Sequence, residues 1–353
     1  VRTILPPAGL DFSSNDYLGL RGDPRLAAAA ALAAQEYGSG AGGARLLRGA
    51  SPVHDALEGA LATWKGREAA LLFNTGFQCN ATLLPALVAG PGDCVFSDRL
   101  NHASIVDGCR LARSGGVRVA VFAHGDLEDL EARIRAWRSQ GGAGLALVVT
   151  DAVFSMDGDA ADLPGLMEVC ARHEALLMVD EAHATGLLGA TGAGLAEHQG
   201  ASPHLLMGTL GKALGVFGAY VACERSLREH LVNTCRGFIF STALPSPVAA
   251  SALAALGLAQ AEPWRRERAL AHAGRIRAAL GLPPQPSAIV PVVTGSEDRA
   301  MALAGALQAR GFDVRAVRPP TVPPGGSRLR ITTGAHLGDA DVDGLLRALE
   351  ELL

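Results

Sequence analysis

Seven short apolar runs recur along the first two-thirds of the chain. They are AALLFN (69–74), DCVFSD (93–98), VRVAVF (117–122), LALVVTDAVF (145–154), ALLMVDE (175–181), LLMGT (205–209) and AYVAC (219–223). Their length and unbroken hydrophobicity predict short buried strands. Amphipathic segments such as LEDLEARIRAWRSQ (127–140) and LPGLMEVCARHE (163–174) lie between several of them. Apolar strands alternating with helices predict an α/β fold, with a mainly parallel seven-stranded sheet sandwiched by helices. Ligands of such sheets gather at the carboxyl ends of the strands.

After Thr242 the pattern changes. ALPSPVAASALAALGLAQ reads as a helix opened by proline, and prolines 283, 284 and 286 mark a break. Beyond it AIVPVVTG, MALAGALQARG, FDVRAV, SRLRITTGAH and DVDGLLRALEELL predict a smaller α+β domain. The expected division is a large domain over 36–245 and a small one over 246–353. Residues 1–35 are expected to pack with the small domain.

Composition narrows the function classes. Of 353 residues, 49% are hydrophobic and 19% charged, the balance of a folded soluble protein. A net charge of −4 offers no footprint for nucleic acid or anionic lipid. The apolar stretch 26–34 is too short to span a bilayer, and the first ten residues lack a signal pattern. A cytoplasmic protein is expected. Six scattered cysteines without a paired spacing predict reduced, mostly buried thiols rather than a metal knuckle or a disulfide framework. The arginine-rich EPWRRERALAHAGRIR (262–277) reads as a solvated helix face.

Of 31 lysines and arginines only two are lysines, Lys65 and Lys212. A guanidinium stays protonated, whereas an amine can lose its proton and attack a carbonyl. Lys212 stands in a glycine-rich turn after LLMGT, where small neighbours let a planar ligand approach the backbone. Thr209 offers a hydroxyl for a phosphate. Lys65, among the polar helical neighbours of TWKGREAA, reads as a surface lysine.

Other motifs follow the predicted strands. In MVDEAHATG (178–186), Asp180 ends a strand, where a carboxylate can pair with a protonated ring nitrogen, and His183 lies three residues on. Asp180 could equally cap the next helix, and Asp-x-x-His could serve a metal, although no second ligand cluster accompanies it. FNTGFQCNATLLPAL (73–87) reads as strand, glycine turn and helix, whose amides near Gly76 and Phe77 would hold an anion. SDRLNHASIVDG (97–108) places His102 after another strand. Taken alone, that histidine is more often structural, and GSGAGGARLLRGASPVHDALE (38–58) is more often a plain loop.

Together, SSNDYLGL, GSGAGGARLLRG, NTGFQCN, NHASIVDG, DAVFSMDGD, VDEAHATG, GTLGKALG and FSTALP resemble the α-oxoamine synthase family of fold-type I pyridoxal-phosphate enzymes. The eight segments come in that family's order and cover nearly the whole chain. The resemblance implies pyridoxal 5'-phosphate held as a Schiff base by Lys212. By position, Asp180 would pair with its ring nitrogen and His102 would stack on the ring. His183 and Ser155 would lie near its phenolic oxygen. Gly76, Phe77 and Thr209 would hold the phosphate end, and Thr242 would reach the cofactor of a partner subunit. Asn15, Arg318, Thr321 and Arg330 would contact substrate, Arg330 through a carboxylate, and Arg2 is a further candidate.

FIFSTALPSP (238–247) and VRPPTVPPGGSRLRIT (317–332) resemble the family member that condenses L-alanine with a pimeloyl thioester. That reaction loses carbon dioxide and serves biotin biosynthesis, with the acyl group carried by coenzyme A or acyl carrier protein. The alternatives are a relative taking glycine with acetyl-CoA or succinyl-CoA, or an aminotransferase or lyase on the same scaffold. A homodimer with the active site at the subunit interface is implied as well.

Overall fold

The computed structural model describes residues 6–353. Its twelve strands are β1 (Leu10–Asp11), β2 (Ala69–Phe73), β3 (Cys94–Asp98), β4 (Arg118–Phe122), β5 (Ala146–Asp151), β6 (Ala175–Asp180), β7 (Leu205–Thr209), β8 (Ala219–Cys223), β9 (Ile289–Gly295), β10 (Phe312–Asp313), β11 (Arg315–Val317) and β12 (Ser327–Thr332). The seven from β2 to β8 form one sheet in the order β2-β8-β7-β6-β5-β3-β4. Only β8 runs antiparallel to its neighbours. Alternate residues feed the two faces. Val148 and Leu177 join one apolar cluster, whereas Leu147, Val149 and Met178 join the other. Both faces are covered, so β2, β3, β5 and β8 are buried along their whole length.

The run VRVAVF departs from the expected buried strand. It becomes β4 at the sheet edge, where Val121 stays 46% exposed. Strand order decides burial there, and strand order is not encoded in the run itself.

A second, antiparallel sheet has the order β11-β12-β9 and its own core, including Val290, Leu307, Leu329, Ile331 and Leu345. The segment before the first long helix straps across it. β1 pairs in parallel with β10, and Phe12 enters the small-sheet core. The amide of Thr332 donates to the Phe12 carbonyl at 2.8 Å, and that of Ala335 donates to the Tyr17 carbonyl at 2.9 Å. Tyr17 and Leu18 then belong to the large-sheet core. The strap thus delivers Asn15 and Tyr17 to the space between the two sheets. Gly215 seats it on the other side. This residue has φ +67°, and a Cβ there would lie 2.4 Å from the Arg21 amide nitrogen.

Two charge expectations need correction. The helix Trp264–Ala279 presents only part of its arginines to water: Arg268 is exposed and Arg275 partly so, but Arg265, Arg266 and Arg277 are buried. Their guanidinium groups donate to backbone carbonyls: Arg265 to Leu18 at 2.8 Å, Arg266 to Ala190 at 2.5 Å and Arg277 to Ile289 at 2.7 Å. Fixed forks of donors tie chain segments together in this way. Lys65 is not a surface lysine either. Its side chain is 1% exposed, and its ammonium donates to Glu181 at 2.6 Å, to Thr185 at 3.0 Å and to the Ala193 carbonyl. All six cysteines are free and buried. Among the described residues, no helix is long and apolar enough to cross a membrane.

Candidate active site

Two hollows meet at the carboxyl ends of the central strands. An inner cavity of about 180 Å³ and an outer cleft of about 670 Å³ share His102, Ser155, His183 and Lys212. Gly76, Phe77, Asp180 and Thr209 line the inner cavity, and Asn15, Thr321 and Arg330 line the cleft. Eleven candidate residues therefore converge on one place. Thr242 does not join them. It is exposed and lies where its carbonyl accepts from Asn74 at 2.9 Å. The guanidinium of Arg318 lies 3.9 Å from the Glu297 carboxylate, and its carbonyl accepts from the Thr321 amide at 3.1 Å. Arg2 falls outside the described residues.

Sheet register builds the inner floor. Asp151 and Asp180 end the adjacent parallel strands β5 and β6 and face each other in register. Asn80 donates to Asp180 Oδ2 at 2.6 Å, and the Ala182 amide donates to Oδ1 at 2.8 Å. Burial, aided by the charge of Asp180, holds the Asp151 carboxyl well above the usual range. Its Oδ2 accepts from the His102 amide at 3.0 Å. His102 is the N-cap of the helix Ala103–Ser114, with Nδ1 3.2 Å from the Ser104 amide. Burial lowers its pKa, and Lys212 adds to the effect against the pull of Asp180.

Lys212 reaches the junction from the turn between β7 and β8. Its Nζ lies 2.8 Å from His183 Nε2. Burial depresses the amine to about 8; Asp180 and Asp151 oppose this, and Arg330 reinforces it. His183 is held well below the usual histidine value by burial, and next by Lys212. A hydrogen-bond chain continues from that ring. His183 Nδ1 lies 2.7 Å from Tyr17 Oη, and Tyr17 Oη lies 3.0 Å from Asn15 Oδ1. Arg330 donates to the same Asn15 oxygen at 3.1 Å and, through Nε, to the Ser155 carbonyl at 2.6 Å.

The other end of the inner cavity is the start of the helix Gly76–Leu87. Its N-cap Thr75 accepts from the Gln78 amide, and the first regular helical bond uses Cys79. The amides of Gly76 and Phe77 are left over, at the positive end of the helix. A Cβ on Gly76 would sit 3.0 Å from Met207 Cε and press on the flexible end of that side chain at the cavity wall. Thr209 borders the cavity, but its hydroxyl already donates to the Gly218 carbonyl at 3.1 Å. It therefore meets a ligand only as an acceptor or after turning. Asn80 Oδ1 is buried without a partner.

These groups fit pyridoxal 5'-phosphate. A helix start suits the phosphate, and a carboxylate fixed by two donors suits a protonated ring nitrogen. An imidazole lies above the cavity, and a depressed amine stands where an aldehyde could be held.

Three participants escaped the sequence reading: Asn80, Asp151 and Tyr17. Each lay inside a segment singled out for a neighbour. For Asn80 and Asp151 the available signal was a polar residue in an otherwise apolar helix or at a strand end. For Tyr17 there was none, because its partner is 166 residues away.

Comparison with known proteins adds the family context. The aminotransferase class I and II family matches residues 7–349. An 8-amino-7-oxononanoate synthase of Anaeromyxobacter dehalogenans (strain 2CP-1) is 55% identical over 98% of this chain and 86% of the relative. Among solved structures, serine palmitoyltransferase of Sphingomonas wittichii has a TM-score of 0.92 at 32% identity, covering 98% of this chain and 87% of that one. An 8-amino-7-oxononanoate synthase from Francisella tularensis has a TM-score of 0.81 at 25% identity, covering 98% and 96%.

Proposed function

We infer that this chain, which belongs to the aminotransferase class I and II family and within it to the 8-amino-7-oxononanoate synthases, condenses L-alanine with a pimeloyl thioester. Carbon dioxide is lost, and the product is 8-amino-7-oxononanoate, in biotin biosynthesis. The observation that carries this reading is the half-buried Lys212 amine, depressed to about 8, between an acid-floored cavity and an arginine-bearing cleft.

Pyridoxal 5'-phosphate supplies an aldehyde for the amino group and a protonated ring that takes up the electron pair released at the α-carbon. The residues that would hold it are Lys212, Asp180, His183, His102, Ser155, Gly76, Phe77 and Thr209. With its pKa near 8, Lys212 has a free lone pair in roughly one-tenth of molecules at neutral pH, far more than an ordinary lysine. That nitrogen removes the α-proton of L-alanine and returns one at the end. Asp180, held by Asn80 and the Ala182 amide, would pair with the protonated ring nitrogen. Arg330 is positioned by Ser155 and Asn15, and its Nη1 serves the amino-acid carboxylate. Thr321 borders the cleft that receives the acyl chain, in a turn closed onto Arg318.

The working form is a homodimer. Leu47, Phe77 and Phe240 are 84%, 50% and 71% exposed, and they lie close in sequence to Ala44, Asn74 and Thr242, which touch one another. This apolar surface supports a subunit contact that brings Thr242 to the neighbouring site.

The deciding experiment follows carbon dioxide and free thiol together. Purified protein with the cofactor is offered L-alanine, glycine or L-serine against pimeloyl-CoA, pimeloyl-acyl carrier protein, acetyl-CoA, succinyl-CoA and palmitoyl-CoA. Serine and palmitoyl-CoA enter because the structural likeness to a serine palmitoyltransferase is close. The highest kcat/KM is expected for L-alanine with a pimeloyl donor. A higher value for another pair, or amino transfer without carbon dioxide, overturns the reading.

A further inference from the structure

We propose that Tyr17 is a positioning residue that decides which ring nitrogen of His183 carries the proton, and so keeps the lone pair of Lys212 free to attack an aldehyde. This rests on reading Lys212 as the reactive amine of the site, but not on which amino acid or acyl donor the site takes.

The argument runs along the hydrogen-bond chain from its one fixed end. Arg330 can only donate, so the Asn15 atom 3.1 Å from it is the carbonyl oxygen, which can only accept. Tyr17 Oη lies 3.0 Å from that same oxygen and must give it its single proton. Toward His183 the phenol then has only lone pairs to offer, at 2.7 Å. The proton of the neutral ring therefore sits on Nδ1, and Nε2 is bare. Bare Nε2 faces Lys212 Nζ at 2.8 Å, so the amine donates and the ring accepts. In the opposite tautomer, Nε2–H would point into the amine lone pair and occupy it.

The surroundings leave this polarity undisturbed. Tyr17 is fully buried, and burial raises its phenol above the usual value, so it remains a donor. Asp151 and Asp180 act on Lys212 from the floor, Arg330 acts from the small sheet, and His102 is neutral across the cavity. None of these groups makes a hydrogen bond to the His183 ring, whose two nitrogens are taken by Tyr17 and Lys212.

The test uses cofactor-free protein and two readouts. Nitrogen-15 spectra of histidine assign the protonated ring nitrogen of His183. The rate of reductive methylation by formaldehyde at about pH 9.5, where Lys212 is mostly unprotonated, reports the availability of its lone pair. Wild type is expected to show Nδ1–H. In Tyr17→Phe the proton should move to Nε2, and methylation of Lys212 should slow several-fold, roughly fivefold, the worth of one hydrogen bond. Asn15→Leu frees the Tyr17 proton for His183 and should give the same two changes with the phenol in place. Asn15→Asp keeps an acceptor and should restore the wild-type pattern.

Nε2–H in wild type overturns the proposal. So does an unchanged methylation rate in Tyr17→Phe or Asn15→Leu protein that retains its thermal transition. If Tyr17→Phe does not fold, Asn15→Leu decides alone. Neither readout involves substrate, so a wrong amino acid or acyl donor leaves both untouched.

Discussion

The chain has two lysines, one buried and one half-buried, and their surroundings drive them in opposite directions. Burial works most strongly against the charge of Lys65, but Glu181 and Tyr220 together outweigh it, and the ammonium is held above its usual pKa. Every donor of that ammonium has an acceptor, and the rings of Trp64 and Tyr220 lie 5.3 and 5.6 Å from it. Lys212 has a neutral imidazole at hydrogen-bond distance, while the carboxylates of Asp180 and Asp151 act only through space. Burial then prevails. A lysine becomes reactive where it is buried and its carboxylates are kept one step away. The two sites are also joined. Glu181 follows Asp180 directly, and His183 lies two residues on, so Lys65 anchors the turn whose far side meets Lys212.

That contrast can be broken at either end. Lys212→Arg keeps a charge and removes the deprotonable amine. Turnover should fall by about 10⁴-fold or more while the unfolding free energy in urea changes by no more than about 0.5 kcal/mol. Product formation by highly purified variant at a rate near wild type would end the assignment. Lys65→Met should do the reverse. It leaves Glu181 buried and unpaired, at a cost of about 3–5 kcal/mol in denaturant unfolding. Adding Glu181→Gln removes the stranded charge and should recover part of that loss. A Lys65→Met protein as stable as wild type would show that the ion pair anchors nothing.

The sequence carried some of this and not the rest, for reasons that follow from range. All seven strands were legible because run length and hydrophobicity are local, and so was the placing of Asp98, Asp180 and Thr209 at strand ends, whereas the run through Asp151 was read on to Phe154. Lys212 stood out against a background of arginine. The fate of Lys65 was hidden because Glu181 is 116 residues away. The arginines of Trp264–Ala279 looked solvated because the carbonyls of Leu18 and Ala190 that receive Arg265 and Arg266 lie 247 and 76 residues off. Candidate residues such as Asp180 and His183 could be named from motif order, but the bonds that hold them could not. Those bonds come from Asn80 and Tyr17, which the fold brings in from other segments.

The smallest expected effect compares the two lysines by the pH dependence of stability. Lys212 has a folded pKa near 8 against about 10.5 when unfolded, so between those values the unfolded chain binds more protons. Its contribution to stability must therefore rise with pH. The cost of burying an ammonium is fully present below about pH 8 and relieved by about 10.5, a change of about 3 kcal/mol. Lys65 has the opposite sign. Its folded pKa lies above the unfolded one, so its stabilisation is fully present below the unfolded value and is lost as pH climbs through the folded value. Urea unfolding of wild type and Lys212→Ala at pH 7 and pH 10 separates the two. The variant should be more stable than wild type at pH 7, and the gap should nearly close at pH 10, while the Lys65 term cancels between the proteins. A gap that stays constant with pH would mean that Lys212 keeps an ordinary pKa in the folded protein, and the distinction between the two lysines would reduce to their positions in the chain.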